Sequence, residues 1–422
     1  MKLKKLISGR FFKNLAILMS GTAIAQGLAF AASPILSRLY DPSAFGVFGL
    51  FIAATGIISV IASGKYELAI ILPKKDEDAA NILLLSLSII ICISIISFFL
   101  ILLFRHSIAE ILGSKDLVPL LWWAPVSIFF TGLYNVFNYW TTRRKQFKRL
   151  SISRVIQSSA REVTQLMTGR LSSLQGGGLV MGQLVGQAGS AGALIAQTYR
   201  EDYPLIKKSY NKKRLYELAR EYKDFPKYNA VQTFLNSISQ NAPAILLAYF
   251  FSPVVVGLYW FTHRILFAPN QLIGNSLRQV FYQKANEVVK EGKSAFKIYI
   301  SSTSSLVLLG IIPFFLILTG GPGIFSFIFG NEWIEAGRLA QWLIIWWFFL
   351  FINPPTIMMI PILNLQKVHF VISIAGIIFR IISIVIGGMF SSSTLAIALF
   401  SLVGAINNII LIGYISIKLN NE

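Results

Sequence analysis

Twelve long apolar runs constrain the fold of this chain more than any other feature of its sequence. A membrane-spanning helix needs about 20 mostly apolar residues to cross ~30 Å of hydrocarbon, and each run has that length. Hydrophobic residues make up 55% of the 422 residues and charged residues only 13%, which excludes a large soluble domain. The sequence therefore predicts an all-α polytopic membrane protein with twelve transmembrane helices. The runs cover residues 14–37, 44–63, 81–104, 117–141, 150–172, 174–198, 229–251, 254–275, 298–319, 339–363, 368–389 and 395–417.

The positive charges lie almost entirely on one side of these runs. With both termini cytoplasmic, the cytoplasmic segments hold 29 Lys and Arg residues and the outer loops hold five. Such an asymmetry sets the orientation of membrane helices, and it accounts for the net charge of +20 without a nucleic-acid partner. The basic run 207–214 then faces the anionic headgroups of membrane lipids. The single cysteine, Cys92, and three widely separated histidines predict no disulfide, metal site or metal cofactor.

The two halves of the chain resemble each other. At a shift of 211 residues, the proline and glycine of 42–48 (PSAFGVF) fall on those of 253–259 (PVVVGLY), and both segments join the first two runs of a half. Six runs per half let both halves enter the membrane from the same side, as in parallel-repeat transporters. We therefore predict two pseudo-symmetric six-helix lobes around a central cavity, 1–198 and 228–422, with 199–227 as a basic cytoplasmic linker.

Charged residues inside the apolar runs are few and mostly basic. A charged side chain at the bilayer centre costs ~3 kcal/mol or more, so such residues usually face a bundle interior or an aqueous cavity. Guanidinium groups bind phosphate through several hydrogen bonds, which predicts a cationic cavity for an anionic headgroup. The residues predicted to bind this headgroup are Arg161, Arg264, Arg380, Arg154 and His263.

The fifth run, 150–172, is unusually polar. Its polar residues recur at helical spacing on a face about 100° wide, which predicts a helix that lines a hydrated cavity. The alternative is an amphipathic helix that lies flat on the cytoplasmic surface. Amide groups suit sugar hydroxyls, because both donate and accept hydrogen bonds, but an amide inside a run can equally serve helix packing. The residues predicted to contact sugars are Gln26, Gln157, Gln165, Asn236 and Gln240.

Small residues repeat every four positions along the sixth run. They are Gly178, Gly182, Gly186 and Ser190. This spacing lets two helix backbones approach closely, so the residues predict a packing seam rather than a binding site.

Several segments resemble one bacterial family. They read SRLYDPSAFGVF at 37–48, GKYELAIILP at 64–73, FPKYNAVQTFLNS at 225–237, SPVVVGLYWFTHRILFAP at 252–269 and FGNEW at 329–333. The sequence resembles the polysaccharide transporter family, the Wzx type of lipid-linked oligosaccharide (O-antigen) flippase. The resemblance implies the multidrug/oligosaccharidyl-lipid/polysaccharide exporter fold, with two lobes that open alternately to each side. It also implies a polyprenyl-pyrophosphate-linked glycan as cargo.

These observations favour a transporter of the bacterial inner membrane rather than an enzyme. It would move an O-antigen (lipopolysaccharide) or capsule repeat unit from the cytoplasmic to the outer leaflet, as a monomer and without a cofactor. Coupling to H⁺ or Na⁺ is assigned to Glu162 or Glu67, and a polysaccharide polymerase and a chain-length regulator are expected partners. The alternative of a cation or drug antiporter would require buried carboxylates in addition to Glu162. The alternative of a membrane polymerase or ligase would require catalytic acid and base residues in an outer loop.

Overall fold

The chain is folded almost entirely as α-helices in the computed structural model, and no strand occurs among the residues that it describes, 2–171, 175–291 and 294–421. Side chains are described for 16–171, 176–268, 270, 281, 285–289, 291 and 294–421. The helices are α1 (Lys2–Leu39), α2 (Pro42–Ser59), α3 (Asp76–Ile111), α4 (Leu117–Leu120), α5 (Ala124–Arg143), α6 (Phe147–Thr168), α7 (Gln175–Ser209), α8 (Lys212–Glu221), α9 (Val231–Phe250), α10 (Pro253–Lys290), α11 (Phe296–Phe329), α12 (Ile334–Ile352), α13 (Pro354–Ile362), α14 (Gln366–Met389) and α15 (Ser393–Asn420).

Every predicted membrane run lies mainly on a helix or on two consecutive helices, and the run 44–63 extends past the end of α2 at Ser59. The run 117–141 covers α4 and α5, and the run 339–363 covers α12 and α13, which meet at Asn353 before two prolines. The end of the fifth run and the start of the sixth, 172–174, lie outside the described residues. Within the described chain, nine segments are long and apolar enough to cross a membrane by themselves. The runs on α6 and α9 are not among the nine, because polar residues interrupt their apolar sequence, and the run on α10 contributes the shorter apolar helix Pro253–Ala268.

The described chain divides into two compact units, which we call unit 1 (Met1–Ile245) and unit 2 (Leu246–Glu422). The core of unit 1 forms where α3, α5 and α7 meet, around Ile82, Val136 and Leu194. The core of unit 2 includes Tyr299 from α11 and Ile415 from α15. Unit 1 thus contains most of α9. The predicted lobes 1–198 and 228–422 stay a prediction.

The segment between α7 and α9 is attached to unit 1 by specific side chains. Arg214 of α8 donates to both carboxylate oxygens of Asp78 at the start of α3, over 2.7 and 2.9 Å. Asn81, one turn further along α3, donates to the carbonyl oxygen of Ser209 over 2.7 Å. The hydroxyl group of Tyr66 donates to the carbonyl oxygen of Ala219. Of the basic run 207–214, Arg214 is therefore paired within the protein.

The glycine repeat of the sixth run packs α7 against α6, which confirms the predicted seam. A Cβ atom added to Gly186 would lie 2.7 Å from the carbonyl oxygen of Gln157 and 2.9 Å from Cβ of Arg161. One added to Gly182 would lie 2.8 Å from the carbonyl oxygen of Arg161 and would also collide with Gln165. The backbones of α6 and α7 can approach this closely only because these positions lack side chains.

Gly182→Leu should separate α7 from α6 and destabilise unit 1, since overpacking of a tight contact costs ~1–3 kcal/mol or more. A lower thermal midpoint of the purified protein in detergent would report the loss. Gly192→Leu is the matched control on the same helix, because nothing lies within 4 Å of a Cβ atom at Gly192. Equal midpoints for the two variants would contradict a packing role for the seam.

Candidate functional site

A polar cavity of about 250 Å³ lies inside unit 1, between α1, α5 and α6. We call it the α1–α5–α6 cavity. It combines two guanidinium groups, two amides, three hydroxyl groups and an alanine. The lining residues are Thr22, Ala25, Gln26, Tyr134, Arg154, Gln157, Ser158 and Arg161.

The helical period of α6 brings its four lining residues together. Residues 154, 157, 158 and 161 are separated by three, four and seven positions, so their side chains share one face of the helix. The same helix packs on two candidate membrane spans. Ser158 donates to the carbonyl oxygen of Ala25 in α1 over 2.7 Å, and Gln165 donates to that of Leu179 in α7 over 2.9 Å. These hydrogen bonds place α6 against α1 and α7, as the prediction of a helix that lines a cavity requires.

Arg154 lies in the cavity without an acidic partner. Its Nη1 atom donates to the hydroxyl oxygen of Thr22 over 2.5 Å. Among the described residues, no carboxylate lies within 4 Å of this guanidinium group. A half-buried cation without a nearby carboxylate is energetically costly, and a bound anion would lower that cost.

Arg161 is paired with its sequence neighbour. Its Nε and Nη2 atoms both donate to one carboxylate oxygen of Glu162, over 2.9 and 2.7 Å, and Glu162 is only 4% exposed. Glu162 therefore neutralises Arg161 in this structure. The guanidinium group still lines the cavity, so an anion that enters would compete with Glu162 for it. The coupling role of Glu162 stays a prediction.

The other predicted polar residues of unit 1 lie away from the cavity. Gln165 is fully buried between α6 and α7, where its amide serves helix packing. Asn236 and Gln240 are exposed on α9. Glu67 is buried just after the second run, where it accepts a hydrogen bond from Ser63 and lies 3.6 Å from the ammonium group of Lys65.

In unit 2, Arg380 of α14 is held by aromatic rings rather than by an acid. Its Nε atom donates to the carbonyl oxygen of Gly376 over 3.1 Å. Its guanidinium carbon lies 5.2 Å from the ring centroid of Trp346 and 5.8 Å from that of Phe400. Within the described part of the chain, no carboxylate lies within 4 Å of it. Cation–π contacts stabilise the charge while leaving N–H donors of the guanidinium group for an anion.

His263 and Arg264 lie on α10, and His263 lies close to the same set of aromatic rings. The imidazole of His263 lies 4.9 Å from the ring of Trp347, and Trp347 lies 4.9 Å from Trp346, the residue beneath Arg380. Arg264 lies 5.9 Å from the ring centroid of Trp260. The structure thus connects two of the predicted residues of unit 2, His263 and Arg380, through stacked aromatic side chains.

The aromatic members of both sites were not predicted. Tyr134, Trp346 and Phe400 lie in apolar runs, where an aromatic residue is more typical of lipid contact or core packing. No group of three or more His, Cys, Asp or Glu that could hold a metal ion occurs among the described residues.

The long apolar helices define this chain as a multi-pass membrane protein, and unit 1 contains a cavity lined by arginines. The family model described as "Polysaccharide biosynthesis protein" matches residues 35–338, and the chain belongs to this family. No curated protein matches the sequence.

Solved transporter structures have the same fold. A structure of the lipid II flippase MurJ in an inward closed conformation is 14% identical, with a TM-score of 0.72 over 96% of this chain and 89% of that chain. An inward-facing multidrug resistance MATE family transporter of the MOP superfamily is 14% identical, with a TM-score of 0.70 over 97% and 98%. A MOP superfamily transporter from Pyrococcus furiosus is 13% identical, with a TM-score of 0.55 over 97% and 96%. At these identities the likeness shows the fold alone.

Proposed function

We propose that the protein is a flippase that moves a polyprenyl-pyrophosphate-linked oligosaccharide from the cytoplasmic to the outer leaflet of a bacterial inner membrane. The cargo would be an O-antigen or capsule repeat unit. Family membership in polysaccharide biosynthesis and a fold that solved flippases and exporters share support a role in glycan export.

The observation that carries the proposal is the pair of arginines, Arg154 and Arg380, without carboxylate neighbours among the described residues. The chain can neutralise a buried arginine with its own acid, as it does at Arg161. Arg154 and Arg380 have no such carboxylate among the described residues, which suits an anionic ligand that supplies the negative charge itself. A pyrophosphate offers this charge and the oxygen geometry that guanidinium groups bind. Arg264 and His263 of unit 2 are proposed as further residues that bind an anionic headgroup.

A protein is needed for this movement because the headgroup is costly to desolvate. Passing a charged pyrophosphate through hydrocarbon costs on the order of tens of kcal/mol in an idealised estimate. Arginines and amides in a hydrated cavity replace the lost hydration while the polyprenyl chain stays in lipid. An inside-negative membrane potential favours outward movement of anions by roughly 2.3 kcal/mol per charge per 100 mV.

Transport of a cationic drug is less well supported by the same geometry. A cation would require a carboxylate at the cavity, and the nearby Glu162 already accepts two hydrogen bonds from Arg161. We keep Glu162 and Glu67 as proposed sites of coupling to H⁺ or Na⁺, and a polymerase and a chain-length regulator as proposed partners.

The proposal is tested by locating the lipid-linked intermediate in cells that lack the protein. We expect single repeat units to accumulate on the inner leaflet, where they are inaccessible to a glycosidase added to spheroplasts. Expression of the chain from a plasmid should restore surface glycan. Units that the added glycosidase digests in the deletion strain would instead indicate a defect after translocation, and the flippase proposal would fail.

A further inference from the structure

The hydrogen-bonding groups of the α1–α5–α6 cavity restrict the chemistry of a ligand more than the charge of the cavity does. The hydroxyl group of Tyr134 and the side-chain amide of Gln157 make no hydrogen bonds with other described residues. With the described residues, Arg154 makes one side-chain hydrogen bond, from Nη1 to Thr22. The cavity therefore presents guanidinium donors together with an amide and a phenol that can also accept.

A diphosphate alone would leave some of these hydrogen-bonding groups without a partner. Phosphate oxygens accept hydrogen bonds, so they match the N–H groups of Arg154 but not the amide oxygen of Gln157. Buried acceptors that lack a donor are costly, so a well-matched ligand carries hydroxyl groups next to its anionic group. A sugar ring with a phosphate on it has both.

The aromatic ring and the size of the cavity point to the same ligand. Tyr134 is the aromatic member among the lining residues, and the apolar C–H face of a sugar ring packs on such a surface. The volume of about 250 Å³ is below the roughly 300–1,000 Å³ of pockets that hold drug-sized ligands. It suits one sugar ring with its phosphate and is too small for an oligosaccharide.

We propose that the α1–α5–α6 cavity is a sugar-phosphate subsite, in which Tyr134 stacks on the ring, Gln157 bonds its hydroxyl groups and Arg154 binds the phosphate. This inference rests on the proposed function, since it assigns the subsite to the sugar of the cargo that is joined to the pyrophosphate. All of the lining residues belong to unit 1, so the subsite is complete within that unit.

Calorimetric titration of the purified full-length protein in detergent tests the subsite. The probes are inorganic phosphate, glucose, and the 1-phosphates of glucose, galactose and N-acetylglucosamine. We expect at least one sugar 1-phosphate to bind about tenfold more tightly than phosphate or the free sugar. Tyr134→Ala should remove that tenfold gain and leave phosphate binding unchanged, since it deletes the stacking surface and keeps Arg154. Arg154→Gln should weaken phosphate and sugar phosphate alike.

Two further variants separate recognition from folding. Tyr134→Phe keeps the ring and should retain most of the affinity gain, even if Tyr134→Ala is poorly folded. Tyr139→Ala removes another half-buried tyrosine of α5 that does not line the cavity, and it should leave all affinities unchanged. Equal binding of phosphate and every sugar phosphate would overturn the subsite, as would equal losses for both ligands in Tyr134→Phe.

Failure of the subsite and failure of the proposed function give different results. If the deletion strain displays repeat units on the outer leaflet while Tyr134 still confers sugar-phosphate selectivity, the flippase proposal fails and the subsite stands. If translocation is lost in that strain but the purified protein shows no such selectivity, the subsite is wrong and the flippase proposal stands.

Discussion

Arg380→Ala should abolish glycan export while leaving the amount of protein in the membrane normal. The guanidinium group lies against Trp346 and Phe400 and has no carboxylate within 4 Å in the described structure. Its removal therefore leaves no buried acid without a partner, which is the usual cause of instability when a buried charge is deleted. Surface glycan, detected by antibody or silver staining, measures export, and immunoblotting of membranes measures the protein.

A conservative variant of Arg380 and a variant of another arginine test this expectation further. Arg380→Lys keeps the charge but loses the planar group that stacks on Trp346 and binds phosphate through several donors, so we expect partial export. Arg338→Ala removes an exposed arginine that pairs with Glu335, and export should be unchanged. Normal surface glycan in Arg380→Ala would show that Arg380 does not bind the cargo.

The polar face of α6 could be predicted from sequence because it depends on local periodicity. Arg154, Gln157 and Arg161 share a helical face whatever surrounds them, and that face does line a cavity. Gln165 extends the same face by one more turn, yet it packs on α7 instead. The difference arises at Gly182, whose missing side chain lets α7 approach Gln165 directly. Periodicity along one helix cannot show where a second helix covers it.

Which side chains contact each arginine depends on packing between helices or on side-chain rotamers. Trp346 and Phe400 belong to α12 and α15, and their approach to Arg380 on α14 follows from packing within unit 2. Consecutive residues of a helix project in different directions, so a bond between Arg161 and Glu162 is not an expectation of helical spacing. The sequence could therefore place the arginines in membrane runs but could not show which of them would keep an acid beside it.

Arg161→Ala should abolish export and also reduce the amount of protein in the membrane. Glu162 is almost fully buried, and removing one member of a buried ion pair costs up to ~3–5 kcal/mol in comparable pairs. The single variant therefore mixes a transport effect with a stability effect. The double variant Arg161→Ala/Glu162→Gln removes both charges, and we expect it to restore the protein level without restoring export.

Glu162→Gln completes the comparison. This variant frees the Arg161 guanidinium group from its carboxylate while keeping the hydrogen-bonding shape of the side chain, so anion binding should persist. Loss of export with anion binding intact would support the proposed coupling role of Glu162. Together the three variants distinguish a cargo-binding arginine from one that only balances a buried acid. Surface glycan normalised to the immunoblot signal gives the readout. If the double variant exports at the normal rate per molecule, Arg161 serves only to neutralise Glu162, and the anion-binding role falls to Arg154 within unit 1.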